Sequence, residues 1–133
     1  MRRVNPDGLA KPSGFSHATI ATGTTVFLAG QTGMDVQGRI VDGGLVPQFE
    51  QALANLLTAL REAGGEPRDL ASMTVYIVDM DDYRTRAREI GSVWKRLVGA
   101  DYPAMAGIGV SRLWDAEALV EVQGFAVLPE YRS

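Results

Sequence analysis

Few residues in this chain have the capacity for chemistry. The last apolar run, Leu119-Val120-Glu121-Val122-Gln123-Gly124-Phe125-Ala126-Val127, carries a single carboxylate, Glu121. Burying a charge without a partner is costly. Glu121 is therefore either a structural acceptor at an interface or a group that orients and activates water or a ligand. His17 is the only histidine, and cysteine is absent. That removes disulfides and thiolate nucleophiles and leaves zinc without a ligand set. His17 stands at a strand start, as a structural ring or a ligand contact. A Ser-His-Asp triad would have to use Ser13 or Ser16, both too near it in the chain.

The other candidates have simpler readings. Asp79, Asp81 and Asp82 precede a helical stretch and read as caps rather than as cation ligands. Gly107-Ile108-Gly109 lacks the following helix that a nucleotide-binding loop needs, so close backbone approach explains it. Arg84, Arg86 and Arg88 read as a solvated helix face. Trp114, on the loop before the last strand, is placed to stack on a ligand or to pack against a neighbouring subunit.

The elements that must position these groups follow from periodicity. His17–Ala21 and Thr25–Ala29 are β-prone runs, and Thr22-Gly23-Thr24 between them predicts a hairpin turn. Arg2-Arg3-Val4 is an optional first strand. Phe49, Ala52, Leu53, Leu56, Leu57 and Leu60 form one stripe of a helix over residues 46–63, which Gly64-Gly65 ends. Leu70–Val78 alternates, with Met73, Val75 and Ile77 on one side and Thr74, Tyr76 and Val78 on the other. A second helix is predicted over residues 83–97. Strands are predicted at 104–110 and 118–127.

Two helices cover one face of a sheet of about six strands. In the last strand Val120, Val122, Gly124 and Ala126 suit close packing under helices. Leu119, Glu121, Gln123, Phe125 and Val127 form the other face, too apolar to lie in water. That face predicts burial against another subunit, with Glu121 at or beside the interface.

Bulk properties bound the remainder. The chain has 133 residues, 46% hydrophobic and 22% charged, which fits a single globular domain spanning 1–133. With a net charge of −3 and no basic cluster, nucleic acid is not an expected partner. No apolar run approaches the ~18 residues of a membrane span. The N-terminus MRRVNPDGLA has no apolar core of a signal peptide, so a cytoplasmic location is expected.

Several motifs together resemble the RidA family, also called YjgF, across almost the whole chain. They are Gly30-Gln31 closing a hairpin, Ala63-Gly64-Gly65 closing a helix, Thr74-Val75-Tyr76-Ile77-Val78-Asp79-Met80-Asp81-Asp82-Tyr83, Tyr102-Pro103-Ala104, and Leu119-Val120-Glu121-Val122. The resemblance implies an α+β, chorismate-mutase-like fold, with a mixed sheet and two helices on one face. It also implies a homotrimer with clefts between subunits. Active members of the family are imine or enamine deaminases that convert 2-imino acids to 2-keto acids and ammonia without a cofactor or metal.

Carried over residue by residue, the resemblance makes Glu121 the water-handling carboxylate. Gly30 and the backbone of Thr32 match the turn lining the cleft. Met105 stands where the family has its carboxylate-binding arginine, and Ala29 where it has a serine. Ser16 falls at a tyrosine position, with Phe15 beside it, and Ala87 at an asparagine position. Methionine offers no charge and no donor, so the expected ligand is neutral, or larger and more apolar than a small 2-imino acid. Arg112, on the following loop, is a cation that could fold back to replace the arginine. Two classes stand beside each other: a hydrolase of C=N or enamine bonds, and a non-catalytic trimer that binds a small molecule. A specialised biosynthetic role on a related reactive intermediate is a third.

Overall fold

The computed structural model describes residues 1–131. Its longest helix, α1 (Leu45–Glu62), forms where the apolar stripe lies, and Phe49, Ala52, Leu53, Leu56, Leu57 and Leu60 are all buried. The helix ends as its glycines predict. Gly64 takes φ +94, the Gly65 N–H donates to Leu60 O and the Gly64 N–H to Arg61 O, a Schellman pair.

The second helical stretch is broken. α2 (Met80–Thr85) and α3 (Ala87–Leu97) meet at Arg86, whose backbone (φ −99, ψ 17) lies off the helical region. The single predicted helix over 83–97 is corrected accordingly, because an apolar period does not register a one-residue change of axis. The Arg86 guanidinium spans the break, 2.9 Å from Asp82 and 3.5 Å from Glu89. As the sequence suggests, Asp79 caps α2 by accepting the Asp82 N–H at 3.0 Å.

Among the described residues six strands form, but in two sheets. β3 (Thr24–Thr32), β6 (Val120–Leu128), β4 (Leu70–Ile77) and β5 (Ala104–Gly109) make a mixed sheet in that spatial order. β5 is parallel to β4, and the other pairs are antiparallel. β1 (Arg2–Val4) pairs with β2 (Ala18–Ile20) in a separate antiparallel ladder. The expected hairpin between 17–21 and 25–29 is therefore not made: β3 pairs with β6 instead. The reason is at Gly23, where an added Cβ would stand 1.9 Å from Leu128 O. The segment is pressed against the end of β6 rather than standing free as a hairpin turn. The small sheet is tied to the large one by Thr19 Oγ1 donating to Ala71 O and the Ser16 N–H donating to Pro103 O.

The helices cover one face. Val120, Val122 and Ala126 of β6 and Met73, Val75 and Ile77 of β4 are buried under them, matching the predicted alternation. The opposite face is open in this chain. It presents Phe27, 77% exposed, and Phe125, 41% exposed, packed edge to face at 5.4 Å. No described helix is long and apolar enough to cross a membrane.

One buried amide sets where β6 begins. Gln48 of α1 is 4% exposed; its Nε2 donates to Glu117 O at 3.1 Å and its Oε1 accepts the Leu119 N–H at 2.8 Å. Gln48→Ala leaves two backbone groups without this partner. It is expected to destabilise the fold by at least about 1–3 kcal/mol, read as a lowered urea midpoint at fixed protein concentration. An unchanged midpoint would show that the clamp is dispensable.

Candidate functional site

Glu121 occupies the second position of β6, a central strand with neighbours on both sides. Across the ladders it faces Thr32 of β3 and Tyr76 of β4. Because Val120 and Val122 point under α1, strand alternation sends Glu121 to the open face. There its side chain lies over Gly30. A Cβ on Gly30 would stand 2.5 Å from Glu121 Oε2 and 2.9 Å from its Cδ. Glycine is thus the residue that leaves room for the carboxylate, at the point where the β3–β6 register shifts between Leu28 and Gln31.

Among the described residues, the Glu121 carboxylate makes no hydrogen bond or ion pair, and its oxygens are not sealed from solvent. Its polar neighbours are paired with each other instead. The Tyr76 hydroxyl donates to Gln123 Oε1 at 2.9 Å, and Gln123 shares the face of Glu121. The carboxylate is thus free to accept a proton from water or to bind a donor.

The second group lies on the other side of the sheet. Met105, in edge strand β5, pairs in register with buried Met73 and so points toward the helices. With Ala87 it lines a cavity of about 200 Å³ beneath α2 and α3. Tyr83, Trp94 and Tyr102 form its aromatic wall. Trp94 stacks on Tyr102 at 5.2 Å with 11° between the rings, and the Trp94 Nε1–H donates to Asp101 O. Among the described residues, no charged residue lines this cavity. Burial pushes the Tyr83 phenol up to about 12, so it remains a protonated donor at neutral pH.

The other sequence-derived residues divide. Gly30, Thr32 and Glu121 come together, and Ala87 and Met105 come together, but the two groups are on opposite faces of one sheet. The Thr32 carbonyl is held by Asn55 Nδ2 at 3.2 Å; Asn55, on the polar side of α1, has no signal in periodicity. Ala29 is exposed on β3 beside Gly30. Ser16 is buried, and its Oγ donates to Tyr102 O at 2.7 Å, which holds the approach to β5. Trp114 is 91% exposed on the β5–β6 loop and belongs to neither group. Arg112 donates to Leu113 O and Trp114 O on its own loop and does not stand in for an arginine at Met105. His17 Nε2 lies 2.8 Å from Ala10 O, with its ring against Phe15, the structural alternative. The aromatic wall escaped the sequence reading because Tyr83 and Trp94 fit a core stripe equally well.

The endoribonuclease L-PSP family model matches residues 7–128. A RutC family protein of Pyrococcus horikoshii is 33% identical over 117 residues, which cover 87% of this chain and 89% of that protein. The 2-iminobutanoate/2-iminopropanoate deaminase of Mus musculus is 33% identical over 104 residues, 77% of this chain and 73% of that protein. Among solved structures, a protein of unknown function of the Rid family from Yersinia pestis is 36% identical. It superposes with a TM-score of 0.82 over 96% of this chain and 98% of that one.

The seat of Glu121 is testable without any substrate. In Gly30→Ala the new methyl meets the far end of a flexible side chain, not backbone. The expected cost in stability is under about 1 kcal/mol, while the carboxylate must swing off β3. A crystal structure of the variant with Glu121 in its original rotamer would refute the steric account.

Proposed function

This chain belongs to the endoribonuclease L-PSP family, the RidA or YjgF family, and on that premise we propose that it hydrolyses a C=N bond in a cleft completed by a neighbouring copy. The observation that carries the reading is Glu121: a carboxylate without an ion pair or hydrogen bond, on an otherwise largely apolar open face. In the proposed reaction Glu121 accepts a proton from water as the oxygen attacks the imine carbon. That proton passes to nitrogen to give the carbinolamine; the carbinolamine hydroxyl proton then moves to nitrogen through Glu121 as the C–N bond breaks, and a carbonyl compound and ammonia leave. The imine and water supply all the atoms of the products. Relatives named 2-iminobutanoate/2-iminopropanoate deaminase support the reaction class.

The assembly we propose is a homotrimer. Phe27 and Phe125 on the open face are the kind of surface a second copy covers, and the half-site at Met105 faces away from Glu121 within one chain. A neighbouring copy can bring the carboxylate of one subunit to the cavity of the next. The substrate we propose lacks a carboxylate, since Met105 and an uncharged lining offer no cation to pair with one. A charge-assisted hydrogen bond contributes about 1.5–3 kcal/mol, equivalent to roughly ten- to a few-hundredfold in affinity. The same uncharged cavity is the observation that favours the second reading, a trimer that binds a small molecule without turning it over.

Three measurements test this. Glu121→Gln is expected to lower imine hydrolysis by roughly 10²-fold or more with little change in thermal stability; full activity in the variant would exclude the assigned role. Met105→Arg is expected to raise hydrolysis of freshly generated 2-imino acids by at least about tenfold, and no gain would mean that position 105 does not face the substrate. Light scattering at micromolar concentration is expected to give the mass of three chains, and a monomer mass would remove the shared cleft.

A further inference from the structure

The cavity beneath α2 and α3 is kept open by a residue that the fold does not require. Gly91 sits inside α3 and lines the cavity. A glycine in a helix interior destabilises it relative to alanine. Its φ is not in the left-handed region, and an added Cβ would meet nothing within 4 Å. Neither backbone conformation nor crowding therefore accounts for glycine here. Ala87, four residues earlier on the same helix face, is small as well. Together they leave room above a buried floor of Phe49, Ile90 and Trp94, with Met105 on the sheet side. The polar groups in reach are all hydroxyls, the phenols of Tyr83 and Tyr102 and the side chain of Ser13. The Tyr83 hydroxyl makes no hydrogen bond among the described residues.

We infer that this cavity receives the carbon skeleton of an imine that carries no carboxylate, the oxidation product of an aromatic or branched primary amine. The inference rests on the hydrolytic reading of Glu121. A 2-imino acid has its carboxylate beside the C=N carbon, and seating it here would leave an anion without a cation in a lining whose available side-chain donors are hydroxyls alone. An amine-derived imine has only its apolar skeleton there. That skeleton fills the space left by Gly91 and Ala87, contacts Met105, which adapts to its shape, and lies against the Trp94–Tyr102 stack. The reaction that supplies such a substrate is a two-electron amine oxidation. R–CH2–NH2 becomes R–CH=NH on a flavin-dependent oxidase, with dioxygen taking the electrons and leaving as hydrogen peroxide. Water then adds on this protein, the C–N bond breaks, and R–CHO and ammonia are released.

The test pairs two imines with the same ring. Benzylamine with a flavin-dependent amine oxidase and phenylalanine with an amino-acid oxidase, both with catalase, generate them in place. Aldehyde or keto-acid formation is then read against spontaneous hydrolysis. The assembled protein is expected to accelerate the benzylamine-derived imine at least about tenfold more than the 2-imino acid, and Gly91→Leu, which fills the cavity, is expected to abolish that acceleration. Binding of benzamide, a neutral aromatic isostere that does not turn over, is expected for the native protein and lost in Gly91→Leu. Acceleration confined to the 2-imino acid, or an amine-derived rate that Gly91→Leu leaves intact, overturns this inference alone. Acceleration of neither imine overturns the hydrolytic reading and this inference with it. A Gly91→Leu protein that dissociates while still binding benzamide assigns the space to subunit contact and overturns the inference.

Discussion

The alternation of β6 is the constraint on which the rest of the structure depends. β6 lies between β3 and β4, so both its edges are committed to ladders, and its inward residues Val120, Val122 and Ala126 are wholly buried. Gly124 lets the strand come close to β4: a Cβ there would stand 2.8 Å from Ser72 O. A slip of one residue would bring Glu121 and Gln123 under the leucines of α1 and push the valines out. The burial of the valines thus holds the carboxylate on the open face. The Glu121 side chain needs no dedicated support other than Gly30, because the core already fixes its direction.

α1 supplies the second part of that control. Gln48 holds both Glu117 O and the Leu119 N–H at the entry of β6, and Gly33 lets the exit of β3 approach the same residue, where a Cβ would be 2.7 Å from Gln48 Cα. Asn55, two turns along α1, reaches Thr32 O and Met34 O. One helix thus fixes the ends of the two strands that meet at Glu121 and Gly30. A polar residue buried in an apolar helix face is costly unless fully bonded, and both ends of the Gln48 amide are.

The parts of this arrangement legible in the sequence were those governed by local period. The α1 stripe, the two faces of β4 and β6, the Asp79 cap and the glycine stop at Gly64-Gly65 are each determined by neighbours a few residues apart. The pairing of β3 was not legible, because Thr22-Gly23-Thr24 has the composition of a hairpin turn and only the distant Leu128 shows otherwise. The break at Arg86 lay below the resolution of an apolar stripe. At the candidate site, the family motifs drew attention to Glu121, Gly30, Ala87 and Met105. They did not reveal that the sheet stands between the first pair and the second. Nor did they reveal Tyr83 and Trp94 as a wall, since an aromatic residue at helical spacing looks the same whether it fills a core or faces a void.

That separation by the sheet changes what kind of site the chain can make. A hydrolytic centre within one subunit would need its carboxylate and its substrate pocket on the same side of a layer. Here the layer is about one strand thick, and its two sides differ in character. The helix side is closed over except at the edge strand β5, where Met105 meets a cavity rimmed by exposed Ser13, Gly14 and Ala87. The open side holds an unpaired carboxylate beside the Tyr76–Gln123 pair and has Phe27 and Phe125 at its surface. Each half has what the other lacks: one has room and no charge, the other a free charge and no enclosure. In the proposed trimer, subunit contact over the open face would remove water from around Glu121 and would set it against a neighbour's edge strand. Association would then bury exposed aromatic surface and complete the site in a single step, so that the carboxylate acquires its low-dielectric surroundings only when a pocket is present to use it.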